Sequence, residues 1–274
     1  MKQTKLCRHK RLLLALASAA LLTPFGHALA QTLTPQLGDL ILGFRGTDSP
    51  GQTLNLEVDL GNMSNFYGAT PGSAIPLPAL AIQDLVDTYG SSWYTRTDMV
   101  WGAVSSTGRI SGMSDGHAPV DTLWATDPDG QPAWNRGSRF AQADASAIIE
   151  GLYSTGGGGL SGASSTANSS QAAVVDATSP GSWSYQDLKT AGESFGYFNP
   201  SVDNVVSNIA VSGQSVLELY ELQPGSGAGA DLGELILTQD GLSFQAIPEP
   251  SAGALVALGI GSALLLRRRK AVQA

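Results

Sequence analysis

The sequence predicts a mainly β fold, with sandwich-like antiparallel sheets and about two short helices. Segments of alternating apolar and polar residues recur along the chain, as in strands with one buried face. The 274 residues include 33 glycines but only 15 lysines and arginines, which favours strands and turns over long surface helices. Asp240-Gly241 stands between two apolar segments and is typical of a tight β-hairpin.

The first half of the predicted domain contains four strands and one helix. Residues 53–60 alternate most regularly and predict a half-buried strand, with Asn55, Glu57 and Asp59 opposite its apolar face. Residues 79–89 have helical apolar spacing, and Gly90 is placed to end that helix. The remaining predicted strands are 38–45, 98–105 and 121–126.

The second half begins with a helix over residues 139–153, where apolar residues again recur at helical spacing. Residues 154–182 are rich in glycine, serine and threonine and predict a mobile loop or insert, interrupted by the apolar residues 172–175. Residues 183–208 are ambiguous, with a short helix near Leu188. Strands are predicted at the end, over residues 215–222, 232–238 and 242–247.

The N-terminal 30 residues have the pattern of a signal peptide. Five basic residues stand between positions 2 and 11, and residues 12–22 form an apolar segment of suitable length. Ala28-Leu29-Ala30 is a small-x-small cleavage site, so we expect the exported protein to begin at Gln31. This prediction implies transfer by the Sec export machinery.

Residues 248–274 contain a second targeting pattern. Pro248-Glu249-Pro250 precedes an apolar segment over residues 252–266, and a basic cluster follows, namely Arg267, Arg268, Arg269 and Lys270. This order resembles the PEP-CTERM sorting signal of exported proteins in Gram-negative bacteria. The resemblance implies processing by the membrane protease-transpeptidase exosortase. The alternative interpretation is an ordinary single-pass membrane anchor.

The apolar segment is short for a membrane span. Fifteen residues make a helix of about 22 Å, against a hydrocarbon core of about 30 Å. The basic cluster should remain cytoplasmic, so residues before the segment would lie outside the cytoplasm. Pro248 and Pro250 favour an extended segment that a protease can reach. We therefore expect a transient inner-membrane anchor, followed by release to the cell surface or extracellular matrix.

Residues 31–247 form the predicted exported domain, which is large enough for a sizeable core. It contains six basic and 22 acidic residues, a balance that excludes nucleic acid as a partner. The only cysteine, Cys7, lies in the predicted signal peptide, which leaves the domain without disulfides or thiolate metal sites. We expect no cofactor and no defined metal site, although the acidic surface also suits loose binding of divalent cations.

Two short motifs resemble a catalytic string and a calcium loop, but their sequences are more typical of turns. Residues 112–116 match the G-x-S-x-G string with Ser114 as nucleophile and His117 next to it, but Pro119 follows where a nucleophile elbow needs a helix. Asp127-x-Asp129-Gly130 departs from a calcium loop, because its glycine comes too early. We expect no catalytic residues, although a hydrolase remains a less favoured alternative.

Five tryptophans offer a second alternative, a carbohydrate-binding module. Trp101 and Trp124 lie in predicted strands, where we expect burial in the core, whereas Trp93 and Trp134 lie in turn-like segments and are the candidates for exposed, sugar-stacking rings. The leading prediction is a non-enzymatic surface or matrix protein. PEP-CTERM systems accompany exopolysaccharide production, so the resemblance implies a biofilm-associated role with exopolysaccharide as a partner. Residues 38–44 also resemble the first strand of uncharacterised PEP-CTERM proteins.

Overall fold

The computed structural model describes residues 30–247, apart from 111, 114–115 and 129–133. The strands in this part of the chain are β1 (Asp39–Gly46), β2 (Leu54–Asn62), β3 (Ala74–Pro76), β4 (Met99–Ser106), β5 (Leu123–Pro128), β6 (Ala172–Asp176), β7 (Asn204–Val205), β8 (Ser215–Leu222), β9 (Ala230–Leu237) and β10 (Leu242–Ala246). The helices are α1 (Ser64–Tyr67), α2 (Ile82–Tyr89), α3 (Arg139–Glu150), α4 (Trp183–Asp187) and α5 (Asn208–Ser212).

The chain is mainly β, as predicted, and its strands form one curled antiparallel sheet. The strand order is β3-β10-β9-β8-β5-β4-β1-β2-β6, with β7 paired to β4 outside this path. The prediction of separate, sandwich-like sheets is therefore wrong, because the described strands form one continuous sheet. Its curl brings apolar side chains from both ends of the strand order, such as Val58 and Phe244, into one core.

Both predicted helices are present. Helix α2 ends before Gly90, whose φ of +90° is readily adopted only by glycine. Helix α3 begins after Ser138, whose hydroxyl accepts a hydrogen bond from Ala141 N at 3.3 Å and so satisfies one of the free N–H groups of the first turn. Its predicted last three residues, Gly151–Tyr153, form a 3-10 turn.

The sheet has a core on each face. One face packs around Phe44, Trp101 and Phe244, and is covered by α1, α2 and α5. The opposite face packs around Ile41 and Val104, and is covered by α3, by Trp183 of α4 and by the chain after α3. Both faces of the central strands are therefore buried, which differs from the predicted sheet with one solvated face.

The glycine-rich segment 154–182 is packed against the second face. Leu160 is fully buried, and residues 172–176 form edge strand β6 where the sequence interrupts the predicted loop. The backbones of Gly159 and Gly181 lie so close that a Cβ on Gly159 would stand 1.8 Å from Gly181 O. Glycine here allows close backbone packing.

Strands β3 and β6 form the two edges of the sheet, and both are short. Strand β3 has three residues, and Pro76 has no N–H to offer a further strand. On β6, Thr166 N donates to Ala172 O at 2.8 Å and covers part of the edge. Short and covered edges limit pairing between copies of the chain.

Candidate functional site

The predicted processing positions lie at the two ends of the described chain. Gln31 N donates to Ser165 Oγ at 2.8 Å, and Gln31 O accepts from Ser165 N at 2.8 Å. The predicted first residue of the exported protein is therefore hydrogen-bonded to the rest of the domain. Ala28 lies outside the described residues, whereas Ala30 lies within them and is exposed.

The predicted sorting signal begins just after the last strand. Strand β10 ends at Ala246, and Ile247 is partly exposed. Pro248, Glu249 and Pro250, the predicted apolar segment 252–266 and the basic cluster 267–270 lie outside the described residues. Between residues 30 and 247, none of the described helices combines the length and the apolar character needed to cross a membrane.

The prediction that Trp93 and Trp134 are exposed is wrong, because their side chains are 2% and 6% exposed. Trp93 lies in a 3-10 turn that packs onto the first core. Trp134 packs edge-on against Phe198 and donates its Nε1–H to Thr126 O at 3.4 Å. Turn-like sequence around each tryptophan does not prevent the turn from folding over the sheet, and neither ring offers a face to a sugar.

The other three tryptophans are also buried. Trp101 Nε1 donates to Ser215 Oγ at 2.8 Å, and Trp124 Nε1 donates to Tyr67 OH at 3.0 Å. All five rings therefore contribute to the cores, as predicted for Trp101 and Trp124.

The segment around the G-x-S-x-G string forms turns. Met113 N donates to Ala118 O at 2.9 Å, and Gly116 N donates to Met113 O at 3.0 Å. The His117 ring stacks on Tyr67 with a centroid separation of 4.9 Å. Ser114 lies outside the described residues. The described residues 112–113 and 116–118 agree with the turn interpretation of the string, and no helix follows it directly.

A buried charged network lies beneath α4 on the second face. The Arg45 guanidinium contacts Asp187 Oδ2 at 3.0 Å and Asp203 Oδ2 at 2.9 Å through the same nitrogen. Its Nε also donates to Asp203 Oδ2 at 3.0 Å, and Ser194 Oγ donates to Asp187 Oδ1. The network thus joins β1, the end of α4 and the segment before β7.

Two glycines make room for the tryptophan that covers this network. Gly43 of β1 lies directly opposite Gly102 of β4, and a Cβ on Gly43 would lie 2.0 Å from Trp183 Cδ2. The indole therefore occupies the space that side chains would fill. Trp183 also lies beside Asp203. A Cβ on Gly102 would meet both the indole and, at 2.7 Å, Asp203 Oδ1.

Burial raises the pKa of both aspartates of the network. The pKa of Asp203 rises to about 7, first through desolvation and then through the neighbouring Asp187 carboxylate, while Arg45 opposes the rise. Desolvation also raises the pKa of Asp187 against the same guanidinium. One arginine therefore compensates two carboxyl groups only in part.

Strand β2 places a further carboxyl group beside the network. The prediction of a polar, half-buried face for this strand is wrong at Asn55 and Glu57, which are fully buried because α4 covers them. Glu57 Oε1 accepts a hydrogen bond from Trp183 N at 2.6 Å. Desolvation raises the pKa of Glu57 to about 8, despite hydrogen bonds from Trp183 and Leu160.

Sequence reasoning missed Arg45, Asp187 and Asp203. One signal was available: Arg45 follows a run of apolar and glycine residues over 40–44, and an arginine in such a strand rarely becomes buried without a carboxylate. Asp203 is 158 residues further along the chain, so the sequence alone could not identify it as the partner.

The network is suited to holding elements together. Its side chains bond to one another, and α4 and Trp183 cover them. In the part of the chain that the structure describes, no group of three or more His, Cys, Asp or Glu side chains could hold a metal ion. Comparison of the chain with models of protein families, with curated proteins and with solved structures gave no match.

Proposed function

We propose that this chain is an exported PEP-CTERM protein, sorted by exosortase to the cell surface or extracellular matrix, where it has a structural, non-enzymatic role. The observation that carries the proposal is the order of three features near the end of the sequence. Pro248-Glu249-Pro250, the apolar segment 252–266 and the basic cluster 267–270 follow one another directly. A signal-peptide pattern over residues 1–30 supports export.

The position of the last strand supports this proposal. Strand β10 inserts between β9 and β3, and its last residue, Ala246, accepts a hydrogen bond from Gly72 N at 3.0 Å. The folded domain thus includes the chain up to Ala246, and the proposed sorting signal begins two residues later. A protease could remove the signal without removing a strand.

The charge of the proposed exported part fits a soluble component of the matrix. With six basic and 22 acidic residues, residues 31–247 repel nucleic acid and anionic lipid. We propose exopolysaccharide as a neighbour in the matrix, in line with the PEP-CTERM resemblance. Stacking of sugars on tryptophan is not part of the proposal, because all five rings are buried.

Replacing the proposed sorting motif tests this function. We expect wild-type protein produced in its native host to reach the surface or medium, and a variant with alanine at Pro248, Glu249 and Pro250 to remain in the inner membrane. Alanine at Gln239 and Asp240, in the turn before β10, is the control and should leave sorting unchanged. Equal distribution of wild type and motif variant would exclude exosortase sorting through this motif.

A further inference from the structure

A part of the chain without charged residues lies beside the end of strand β10. Residues 60–83 and 241–247 contain no Asp, Glu, Lys or Arg, in a proposed exported domain with six basic and 22 acidic residues. Strand β3 and the loop before it bond to the second half of β10 and bring the two segments together. We call residues 68–76 and 243–247 the uncharged edge.

The loop of the uncharged edge is exposed and has a fixed position. Residues 70–73 form a turn in which Ser73 N donates to Thr70 O at 3.1 Å, and all four are exposed. Pro71 and Gly72, with a Gly72 φ of +77°, are typical of the two central positions of a type II turn. Gly72 N also donates to Ala246 O at 3.0 Å, so the turn is held where the chain leaves the sheet.

The proposed sorting signal is too close to the domain for a protease to bind it in isolation. An extended chain spans at most about 3.6 Å per residue, so Pro248 lies within about 7 Å of Ala246, and Ala252 within about 22 Å. A folded domain of only about 100 residues already has a radius of gyration of about 13 Å. A protease that binds the signal must therefore lie against the end of the domain.

Charge favours the β3 side of β10 for this contact. On the other side, Gln245 lies opposite Glu234 of β9. Carboxylates that enter a protein contact lose hydration and need partners, whereas the uncharged edge can be covered without that cost. The edge can also approach an anionic membrane surface without repulsion.

We propose that the uncharged edge is the surface of the domain that exosortase, a membrane protease, contacts when it acts on the sorting signal. This inference rests on the proposed function and adds a second recognition element to the Pro248-Glu249-Pro250 motif. The motif identifies the segment to be cut, and the edge orients the domain so that the segment enters the active site. The matching surface of the protease should likewise have few charges.

Charges introduced at the turn test the contact in the full-length chain, produced in its native host. Thr70→Glu with Ser73→Glu places two carboxylates on the uncharged edge. We expect processed protein to appear in the medium about tenfold or more slowly than for wild type, because a charge desolvated without a partner is costly. Gln52→Glu with Thr53→Glu adds the same charge at exposed positions before β2, at the opposite end of the sheet, and should leave the rate unchanged.

A longer connection to the sorting signal separates a lost contact from a damaged domain. A linker of about ten glycine and serine residues between Ile247 and Pro248 adds a mean span of about 17 Å. The protease can then reach the signal without touching the edge. We expect the glutamate variant with the linker to be processed at the same rate as wild type with the linker. A defect that persists with the linker would overturn the contact.

Thr70→Lys with Ser73→Lys distinguishes the protease from a lipid surface. A contact with an uncharged protein surface should be weakened by lysine as well as by glutamate, whereas anionic lipid attracts lysine. A lysine variant processed at or above the wild-type rate, beside a slowed glutamate variant, would assign the edge to the membrane and overturn the proposal.

Alanine at Pro248, Glu249 and Pro250 separates failure of this inference from failure of the proposed function. If this change blocks processing but the glutamate variant is processed at the wild-type rate, the edge is not a contact and sorting through the motif stands. If the motif variant is processed like wild type, the proposed function fails and this inference fails with it.

Discussion

At the residue scale, Glu57 should make the stability of the domain depend on pH. Burial raises the pKa of Glu57 from its ordinary value of 4.5 to about 8 in the folded protein. The native state therefore binds this proton more tightly than the unfolded chain. The stabilising contribution is full below about pH 4.5 and is lost as pH rises to about 8, with a slope of at most about 1.4 kcal/mol per pH unit.

Glu57→Gln tests this assignment, because glutamine keeps the acceptor for Trp183 N without the titration. We expect the free energy of unfolding in urea, followed by tryptophan fluorescence, to fall less steeply between pH 5 and 8 than in wild type. Glu193→Gln changes an exposed glutamate and should keep the wild-type slope. An unchanged slope in Glu57→Gln would mean that Glu57 does not carry this proton.

Arg45 should contribute more to stability than an exposed arginine does. Arg45→Gln leaves Asp187 and Asp203 buried without their cation, so we expect a loss of about 3–5 kcal/mol at pH 8. The loss should shrink at pH 5, where the raised pKa of Asp203 keeps that carboxyl group protonated.

Arg109→Gln is the control for Arg45→Gln, because Arg109 pairs with Glu150 at 3.7 Å on the surface. We expect this change to cost less than about 1 kcal/mol. Urea unfolding of both variants at the two pH values provides the comparison. Similar losses in the two variants would show that the buried network contributes no more than a surface pair.

Periodicity in the sequence could not predict this network, for a physical reason. The alternation of apolar and polar residues places Arg45 and Glu57 on one face of their strands, but it does not predict which element packs against that face. Here the cover comes from α4, a helix of five residues, which is too short to give a periodic signal. The burial of Glu57 and the pairing of Arg45 follow from that cover.

At the element scale, the run of four glycines at residues 156–159 should respond unequally to substitution. A Cβ on Gly156 would meet open space, whereas one on Gly159 would stand 1.8 Å from Gly181 O. Backbone atoms cannot move aside cheaply, so we expect Gly159→Ala to lower the free energy of unfolding by about 1–3 kcal/mol.

Gly156→Ala is the matched control in the same run and should leave stability nearly unchanged. Thermal unfolding of both variants, followed by tryptophan fluorescence, measures the difference. Equal melting temperatures would mean that the segment does not pack against Gly181 in solution and behaves as the loop that its composition predicts.

The elements themselves were largely predictable. The seven strands and the two longer helices predicted outside the glycine-rich segment correspond to β1, β2, β4, β5, β8, β9, β10, α2 and α3, and α4 ends next to Leu188, where a short helix was predicted. Each has enough residues for a clear period of two or of 3.6. Strands β3 and β7 have three and two residues, and their pairing depends on tertiary contacts that local sequence does not encode.

At the scale of the whole molecule, the domain should be complete without the sorting signal but incomplete without β10. Strand β10 lies between β9 and β3. Its Phe244 packs edge-on against Phe66, with the two ring centroids 5.1 Å apart. We expect a chain of residues 31–250 to unfold cooperatively on heating.

A chain of residues 31–238 is the contrasting variant, because it lacks β10 and exposes the edge of β9. We expect it to lose the cooperative transition in near-UV circular dichroism. Two chains with the same melting temperature would show that the domain closes before β10 and not at the proposed processing point.

The separation of folded domain and sorting signal is the central claim, and intact mass of the protein from its native host tests it most directly. Membrane and medium fractions are compared. We predict a released species that begins at Gln31 and ends near Pro250. A species that retains Arg267, Arg268, Arg269 and Lys270 and occurs only in the inner membrane would contradict the claim, and would identify the tail as a permanent anchor.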